Sequence, residues 1–203
     1  MILALDTSTA ACTAALFKAD GALLARADQV IGRGHAERLV PMIGDLLAGR
    51  QPDRVLVGCG PGSFTGLRVA IAAAHGMAIG WGAPLRGFNS LALLAAGAPG
   101  DGPVAVAVTG GHGELFVQQF TRGGLLAADG PLLNLRPEQA AAEISAPLVV
   151  GSGAEALIAA RGRGDALDLL PAAADALELP PALTSLDPRP IYARAPDARP
   201  KAA

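Results

Sequence analysis

Gly60-Pro61-Gly62-Ser63-Phe64-Thr65-Gly66-Leu67-Arg68 follows directly on the apolar run Val55–Cys59. A continuous apolar run of strand length suits a strand covered on both faces. The glycines permit positive φ and close backbone approach, and Ser63 or Thr65 stands where a helix cap is needed. The stretch therefore reads as strand, tight loop and helix start, with a helix predicted over Leu67–Ile79. Backbone N–H groups converge in such a loop, which leaves two readings. One is an anion-binding nest. The other is a tight strand-to-helix turn whose Ser and Thr only cap. No Gly-Lys-Ser/Thr follows, so the loop is not a P-loop.

Working outward, Ile2–Leu5, Cys12–Phe17 and Leu23–Val30 are strand-like runs separated by Asp6-Thr7-Ser8-Thr9 and Asp20-Gly21. Run, polar turn and run again is the pattern of an antiparallel meander. In His35–Leu47 the apolar positions Leu39, Val40, Ile43, Leu46 and Leu47 share one helical face, with Gly49 as the expected C-cap. Pro41 predicts a kink or a late start to that helix. Ala83–Phe88 reads as a strand and Ser90–Ala96 as a helix. Ala98–Pro103 crowds Pro and Gly and is the linker candidate.

The same grammar then repeats. Val104–Val108 ends in Thr109-Gly110-Gly111, Leu115–Phe120 is a second strand, and Leu148–Val150 runs into Gly151-Ser152-Gly153 and a helix over Ala154–Ala160. Two lobes of meander plus strand–glycine–helix describe an α/β fold of the actin and sugar-kinase kind, with mixed sheets flanked by helices. The expected lobes are 1–102 and 103–203. Part of the Pro- and Ala-rich stretch Ala172–Ala203, which carries Arg189, Arg194, Arg199 and Lys201, is expected to pack back on the first lobe, with its last residues frayed.

Composition sets limits on function. Of the 203 residues, 51% are hydrophobic and 17% charged, which argues for a packed globule rather than a disordered chain. A net charge of −2 and only 3% aromatics do not make the basic, stacking surface of a dedicated nucleic-acid binder, so contact with RNA is expected through a partner. Cys12 and Cys59 stand alone in apolar surroundings, as buried thiols do in a reducing compartment. The N-terminus lacks a basic start and meets Asp6 early, unlike a signal peptide. The stretch Val69–Leu85 is broken by His75 and three glycines, unlike a membrane span. A cytoplasmic protein without a membrane contact is the expectation.

Asp6-Thr7-Ser8 stands where actin-like ATPases hold phosphate, but Thr and Ser replace the glycines that let a phosphate lie close. An Asp satisfying turn amides is the preferred reading. His35 opens a helix, His75 lies inside one and His112 sits on a glycine turn. No two are three or four residues apart, so metal-ligand spacing is absent from the local sequence. Gly151-Ser152-Gly153 is half of a dinucleotide fingerprint and weak evidence alone. The helix from Leu67 carries Ala70, Ala72, Ala73, Ala74, Gly76, Ala78 and Gly80 and is small on every face. With the helix from His35 it offers either a flat face for a partner or ordinary packing on the sheet.

These motifs resemble the TsaB family, the bacterial partner proteins of tRNA threonylcarbamoyladenosine biosynthesis. The marks are Leu3-Ala4-Leu5-Asp6-Thr7-Ser8, Gly34-His35-Ala36-Glu37-Arg38-Leu39-Val40-Pro41-Met42-Ile43, the Gly60–Arg68 string and Pro190-Ile191-Tyr192-Ala193-Arg194. The resemblance implies an actin-like (ribonuclease H-like) fold without catalysis of its own or a bound cofactor. It implies pairing with the catalytic paralogue TsaD, work with the small ATPase TsaE, contact with tRNA only through the complex, and a homodimer when alone. The interface so implied uses His35, Arg38, Leu39, Met42, Ile43, Leu46, Arg68, Ala72, His75 and Ile79. The loops at Asp6, Thr7, Ser8, Gly60, Gly62, Ser63, Thr65, Gly110 and Gly111 become vestigial phosphate loops. TsaD carries a metal-binding His-x-x-x-His pair where this chain has Ser90 and Leu94. One departure is Thr109-Gly110-Gly111-His112, closer to the turn with which TsaD approaches nucleotide than to the usual Asp-Ala-Arg. Drift in an exposed turn is the preferred reading, and a residual phosphate contact stays open. The alternatives are an actin-like ATPase or small-molecule kinase, for which the first loop offers only Asp6 to place Mg²⁺, and a peptidase, which no motif supports.

Overall fold

The computed structural model describes residues 1–193; Arg194, Arg199 and Lys201 lie outside the described residues. The first half opens with an antiparallel meander of β1 (Ile2–Asp6), β2 (Ala11–Phe17) and β3 (Leu23–Val30). Helix α1 (His35–Leu47) leads to β4 (Arg54–Gly58), which lies parallel to β1, and α2 (Phe64–Trp81) leads to β5 (Leu85–Phe88), parallel to β4. The sheet order is β3-β2-β1-β4-β5. Helix α3 (Ser90–Ala96) then crosses to the second half.

There β6 (Val104–Thr109) and β7 (Leu115–Thr121) pair antiparallel, and β8 (Ala127–Ala128) and β9 (Leu133–Leu135) both pair with β7. Helix α4 (Pro137–Glu143) precedes β10 (Leu148–Val150), and α5 (Ala154–Arg161) precedes β11 (Asp165–Leu167). The order β11-β10-β6-β7-β8, with β10 parallel to both β6 and β11, repeats the first sheet's topology. A 3₁₀ turn at Ala173–Glu178 and the short α6 (Pro181–Thr184) complete the described chain.

The burial pattern explains the layers. Along β1, Leu3 and Leu5 face α1 and α2, while Ile2 and Ala4 face α3, so every residue of the strand is covered. Leu39 and Ile43 of α1 pack with Cys12, Leu16 and Val55 in the first helical layer. Leu91, Leu93 and Leu94 of α3 pack with Phe88, Val104, Val106 and Phe120, so one core joins the two sheets. Leu157 of α5 and Ala140 of α4 cover the far face of the second sheet. The Ala98–Pro103 connection is fixed by Arg122, whose guanidinium donates to the carbonyls of Ala98 (2.5 Å), Pro99 (2.9 Å) and Gly102 (3.3 Å).

Several boundaries differ from the sequence reading. Helix α2 begins at Phe64 rather than Leu67, because Ser63 caps it by accepting from the Gly66 N–H. Ala48, not Gly49, takes the left-handed C-cap of α1, and Gly49 follows it at positive φ. Helix α1 does not start late at Pro41: it runs from His35, and Pro41 lies on its exposed side. The sequence reading assigns no element to residues 121–147, where the structure places β8, β9 and α4. The returning chain docks on the first sheet. The Ala173 N–H donates to Thr13 Oγ1 (2.7 Å), Leu186 bridges Gly87, and the Ile191 N–H donates to the Cys59 carbonyl (2.8 Å).

Candidate functional site

The end of β1 and the loop after β4 meet face to face. The Asp6 side chain is fully buried. Its Oδ1 accepts from the Ser8 N–H and the Ser8 hydroxyl, both at 2.7 Å, and its Oδ2 accepts from the Ser90 hydroxyl at 2.6 Å. Ser90 Oγ in turn accepts from the Gly60 N–H (2.9 Å). One carboxylate thus ties together the first hairpin, the glycine loop and the start of α3. Burial pushes the Asp6 pKa up, against the opposing effect of the Ser90 and Ser8 hydrogen bonds.

The glycines of the loop serve this contact. A Cβ on Gly62 would overlap the Ser8 carbonyl oxygen, one on Gly66 the Thr7 carbonyl oxygen, and one on Gly58 the Asp6 carboxylate. Ser63 N–H donates to the Ser8 carbonyl (2.7 Å) and Thr7 Oγ1 to the Gly66 carbonyl (2.7 Å). The Asp6-Thr7-Ser8 hairpin therefore lies in the concavity that a phosphate would occupy if the loop were an open nest. Thr65 is exposed on the first turn of α2. At the positions matched to a histidine pair, Ser90 serves Asp6 and Leu94 is 1% exposed in the shared core. Among the described residues no cluster of His, Cys, Asp or Glu is placed to hold a metal ion.

In the second half Thr109-Gly110-Gly111 faces Gly151-Ser152-Gly153. Thr109 N–H donates to Ser152 Oγ (3.1 Å), and Thr109 Oγ1 to the Ser152 carbonyl (3.2 Å). Gly110 N–H donates to the Glu114 carbonyl (2.8 Å), and His112 takes positive φ on an exposed 3₁₀ turn.

The second candidate is the outer face of α1 and α2, where the structure divides the residues named from the sequence into buried and exposed. His35, Leu39, Met42, Ile43 and Leu46 are buried, and the last four pack with strand residues of the first sheet in this chain's own core. The 3.6-residue period that marks them as a face marks the inward face. Arg38, Arg68, Ala72, His75 and Ile79 are exposed, with Ile79 at 81%. Sequence reasoning missed Val40 (57% exposed), Phe64 (55%) and Tyr192 (52%). The Arg68 guanidinium lies 3.6 Å from the Phe64 ring centroid, the Phe64 and Tyr192 rings are 5.8 Å apart, and Arg68 Nε donates to Tyr192 Oη (3.3 Å). Phe64 precedes Arg68 by four residues, a helical spacing that places both on one face. His75 Nε2 lies 3.4 Å from the Pro188 carbonyl, and His35 Nε2 is buried without a hydrogen-bond partner.

Cys12 and Cys59 are buried thiols, and burial pushes the Cys59 pKa up to about 11. No helix among the described residues is long and apolar enough to cross a membrane.

Comparison with known proteins bears on these features. Residues 29–130, half of the chain, match the family model described as TsaD: tRNA N6-adenosine threonylcarbamoyltransferase. The Escherichia coli K12 protein named tRNA threonylcarbamoyladenosine biosynthesis protein TsaB is 36% identical over 129 residues, which cover 60% of this chain and 55% of that protein. The chain spans about half the length of the first curated relatives it matches. An uncharacterized protein of Mycobacterium tuberculosis H37Rv is 33% identical over 217 residues, 99% of this chain and 95% of its own length. The solved structure of YeaZ from Pseudomonas aeruginosa superposes with a TM-score of 0.79 at 32% identity, over 94% of this chain and 98% of that one. The likeness to YeaZ extends over nearly the whole of both chains, and with the TsaB-named relatives it settles descent: the chain belongs to the TsaB (YeaZ) family.

Proposed function

We propose that this chain is a non-catalytic scaffold and activator subunit of the machinery that forms threonylcarbamoyladenosine in tRNA, docking a TsaD-type catalytic paralogue. The observation that carries the reading is the closure of the first loop pair. Asp6, the acid that would place Mg²⁺ in an actin-like ATPase, has both oxygens occupied by Ser8 and Ser90 and is fully buried. A fully buried carboxylate that accepts three hydrogen bonds from its own chain is not presented to a cleft, and a glycine loop packed against its own hairpin offers little cradle for phosphate. Ser90 and Leu94 supply no imidazole where the paralogue family has its pair. The chemistry then belongs to the partner, and this chain contributes shape.

The outer face of α1 and α2 is the docking surface in this reading. Arg38 and Val40 on α1 are each exposed, and Phe64, Arg68, Ala72 and Ile79 are exposed along α2. Aromatic and Arg side chains beside small residues suit the anchor-and-pocket contacts of protein interfaces. A TsaE-like ATPase would join the pair, tRNA would be met through the complex, and a homodimer on the same face would form without the paralogue. No bound cofactor of its own is required.

The test is threonylcarbamoyl transfer to tRNA in a reconstituted mixture with the cognate paralogue and ATPase, with and without this chain. Transfer should collapse when the chain is left out, and the chain alone should give none. An Ile79→Glu variant should fold as the wild type does and bind the paralogue at least about tenfold more weakly, because it places a charge in a desolvated contact. Equal transfer without the chain would overturn the proposal.

A further inference from the structure

Strand β3 is an edge of the first sheet, and its outer side pairs with no other strand among the described residues. Eight residues, Leu23–Val30, lie along it with an alternating exposed and half-buried pattern. Ile31 N–H donates to the Ala10 carbonyl (2.9 Å). Backbone groups alternate in direction along an antiparallel strand. With the register Ala11↔Val30 to Leu16↔Ala25 unbroken, the backbone groups of Arg26, Asp28 and Val30 therefore face away from β2. The register shifts between Leu16 and Phe17 and leaves Leu24 in an irregular position at the strand's start. Leu24 is 39% and Val30 72% exposed.

We propose that this edge pairs antiparallel with the same edge of a second copy of the chain, about a two-fold axis through Ala27. In that register Arg26 stands opposite Asp28 of the copy and Asp28 opposite its Arg26. Arg26 and Asp28 already lie on one side of the strand, with Arg26 Nε 3.4 Å from Asp28 Oδ2, so both present their charges toward the same layer of the joined sheet. Opposite charges across an antiparallel ladder are stabilising, and like charges directly opposite are not. Sliding the copies by two residues either way sets Arg26 against Arg26 or Asp28 against Asp28. The sign order along β3 therefore selects a single register. Charged side chains on an edge strand ordinarily ward off other edges. Here the order is self-complementary. The contact uses a sheet edge, not the outer face of α1 and α2, and stands whether or not that face docks a paralogue.

Cysteine cross-linking of the full chain tests the register. Ala27 falls on the axis as a non-hydrogen-bonded pair, where Cα atoms are about 4.5 Å apart, inside disulfide reach. Under copper–phenanthroline oxidation at tens of micromolar protein, Ala27→Cys should give a covalent dimer and Ala25→Cys should not, because Ala25 faces Gln29 of the copy. Adding either Arg26→Asp or Asp28→Arg should slow the Ala27→Cys cross-link at least about fivefold, and combining the two reversals should restore it. Circular dichroism reports whether each variant is folded. Should a reversal unfold the chain, the salt dependence replaces it, and the cross-link should be faster at 20 mM than at 500 mM salt. Cross-linking by neither cysteine, equal cross-linking by both, indifference to the single reversals, or indifference to salt would overturn the proposal.

Discussion

The two halves of the molecule set the same pieces in the same order and use them differently. In each, the turn after a central strand meets a glycine loop after the parallel neighbour, and a loop N–H reaches across. Ser63 N–H donates to Ser8 at 2.7 Å in the first half and Gly153 N–H to Ala107 at 2.9 Å in the second. In each, a threonine hydroxyl donates to the opposing loop, Thr7 to Gly66 and Thr109 to Ser152. Thr7 is fully buried and Thr109 exposed. The first pair is sealed around a carboxylate with three donors, and the second opens onto an exposed turn with His112 at positive φ. The difference teaches that a glycine-rich loop does not of itself announce a ligand. What the glycines approach decides, and in the first half they approach the chain's own hairpin.

The largest effect should come from filling that approach. Gly66→Ala places a Cβ on the Thr7 carbonyl, which is backbone and cannot swing away. Stability should fall by about 3 kcal/mol or more, within the range of severe overpacking, read from urea midpoints. A loss below about 1 kcal/mol would mean that the two loops are not in contact, and the contrast between the halves would fail.

Asp6 comes next. Asp6→Ala leaves the Ser8 N–H, the Ser8 hydroxyl and the Ser90 hydroxyl without their acceptor, and should cost about 2–3 kcal/mol. The pH dependence sharpens the point. Burial raises the folded pKa of Asp6 above its unfolded value, so between those two values the native state binds the extra proton. Stability from this group therefore rises as pH falls from neutral through the folded pKa toward the ordinary carboxylate range, and drops as pH rises. Asp6→Asn cannot titrate. The urea midpoint of the wild type relative to Asp6→Asn should climb as pH is lowered from 7 to 4.5. A difference that stays constant or shrinks would show that the carboxylate is not paying a burial penalty.

Much of this was legible in the residues, and where it was not the reason is physical. The meander, the helix over His35–Leu47 and the Gly60–Arg68 turn are local patterns of period and punctuation, and they lie where the spacing places them. The stretch 121–147 was not legible, because β8 and β9 are two and three residues long and exist through pairing with β7. The sense of a helical face was also hidden. The period in Leu39, Ile43 and Leu46 locates a stripe but not what covers it, and here the chain's own β1, β2 and β4 do. The function of the glycines was half legible: their need for space reads from sequence, whereas the Ser8 and Thr7 carbonyls that fill it are more than fifty residues away in the chain.

The matched threonines give the smallest effect and the most direct test of the comparison. Thr7→Val keeps the shape and removes the one hydroxyl that holds the hairpin to the first turn of α2, in a place where water cannot replace it. Thr109→Val removes the equivalent hydroxyl at a site that water reaches, and its bond is longer, 3.2 Å against 2.7 Å. A buried hydrogen bond is worth about 0.5–1.5 kcal/mol, and an unsatisfied buried partner adds to that. Thr7→Val should therefore cost about 1–2 kcal/mol and Thr109→Val less than about 0.5 kcal/mol. Equal losses would mean that burial does not separate the two loop pairs. A larger loss at Thr109 would reverse the assignment of lock and open turn, and would direct the search for a ligand to the second half.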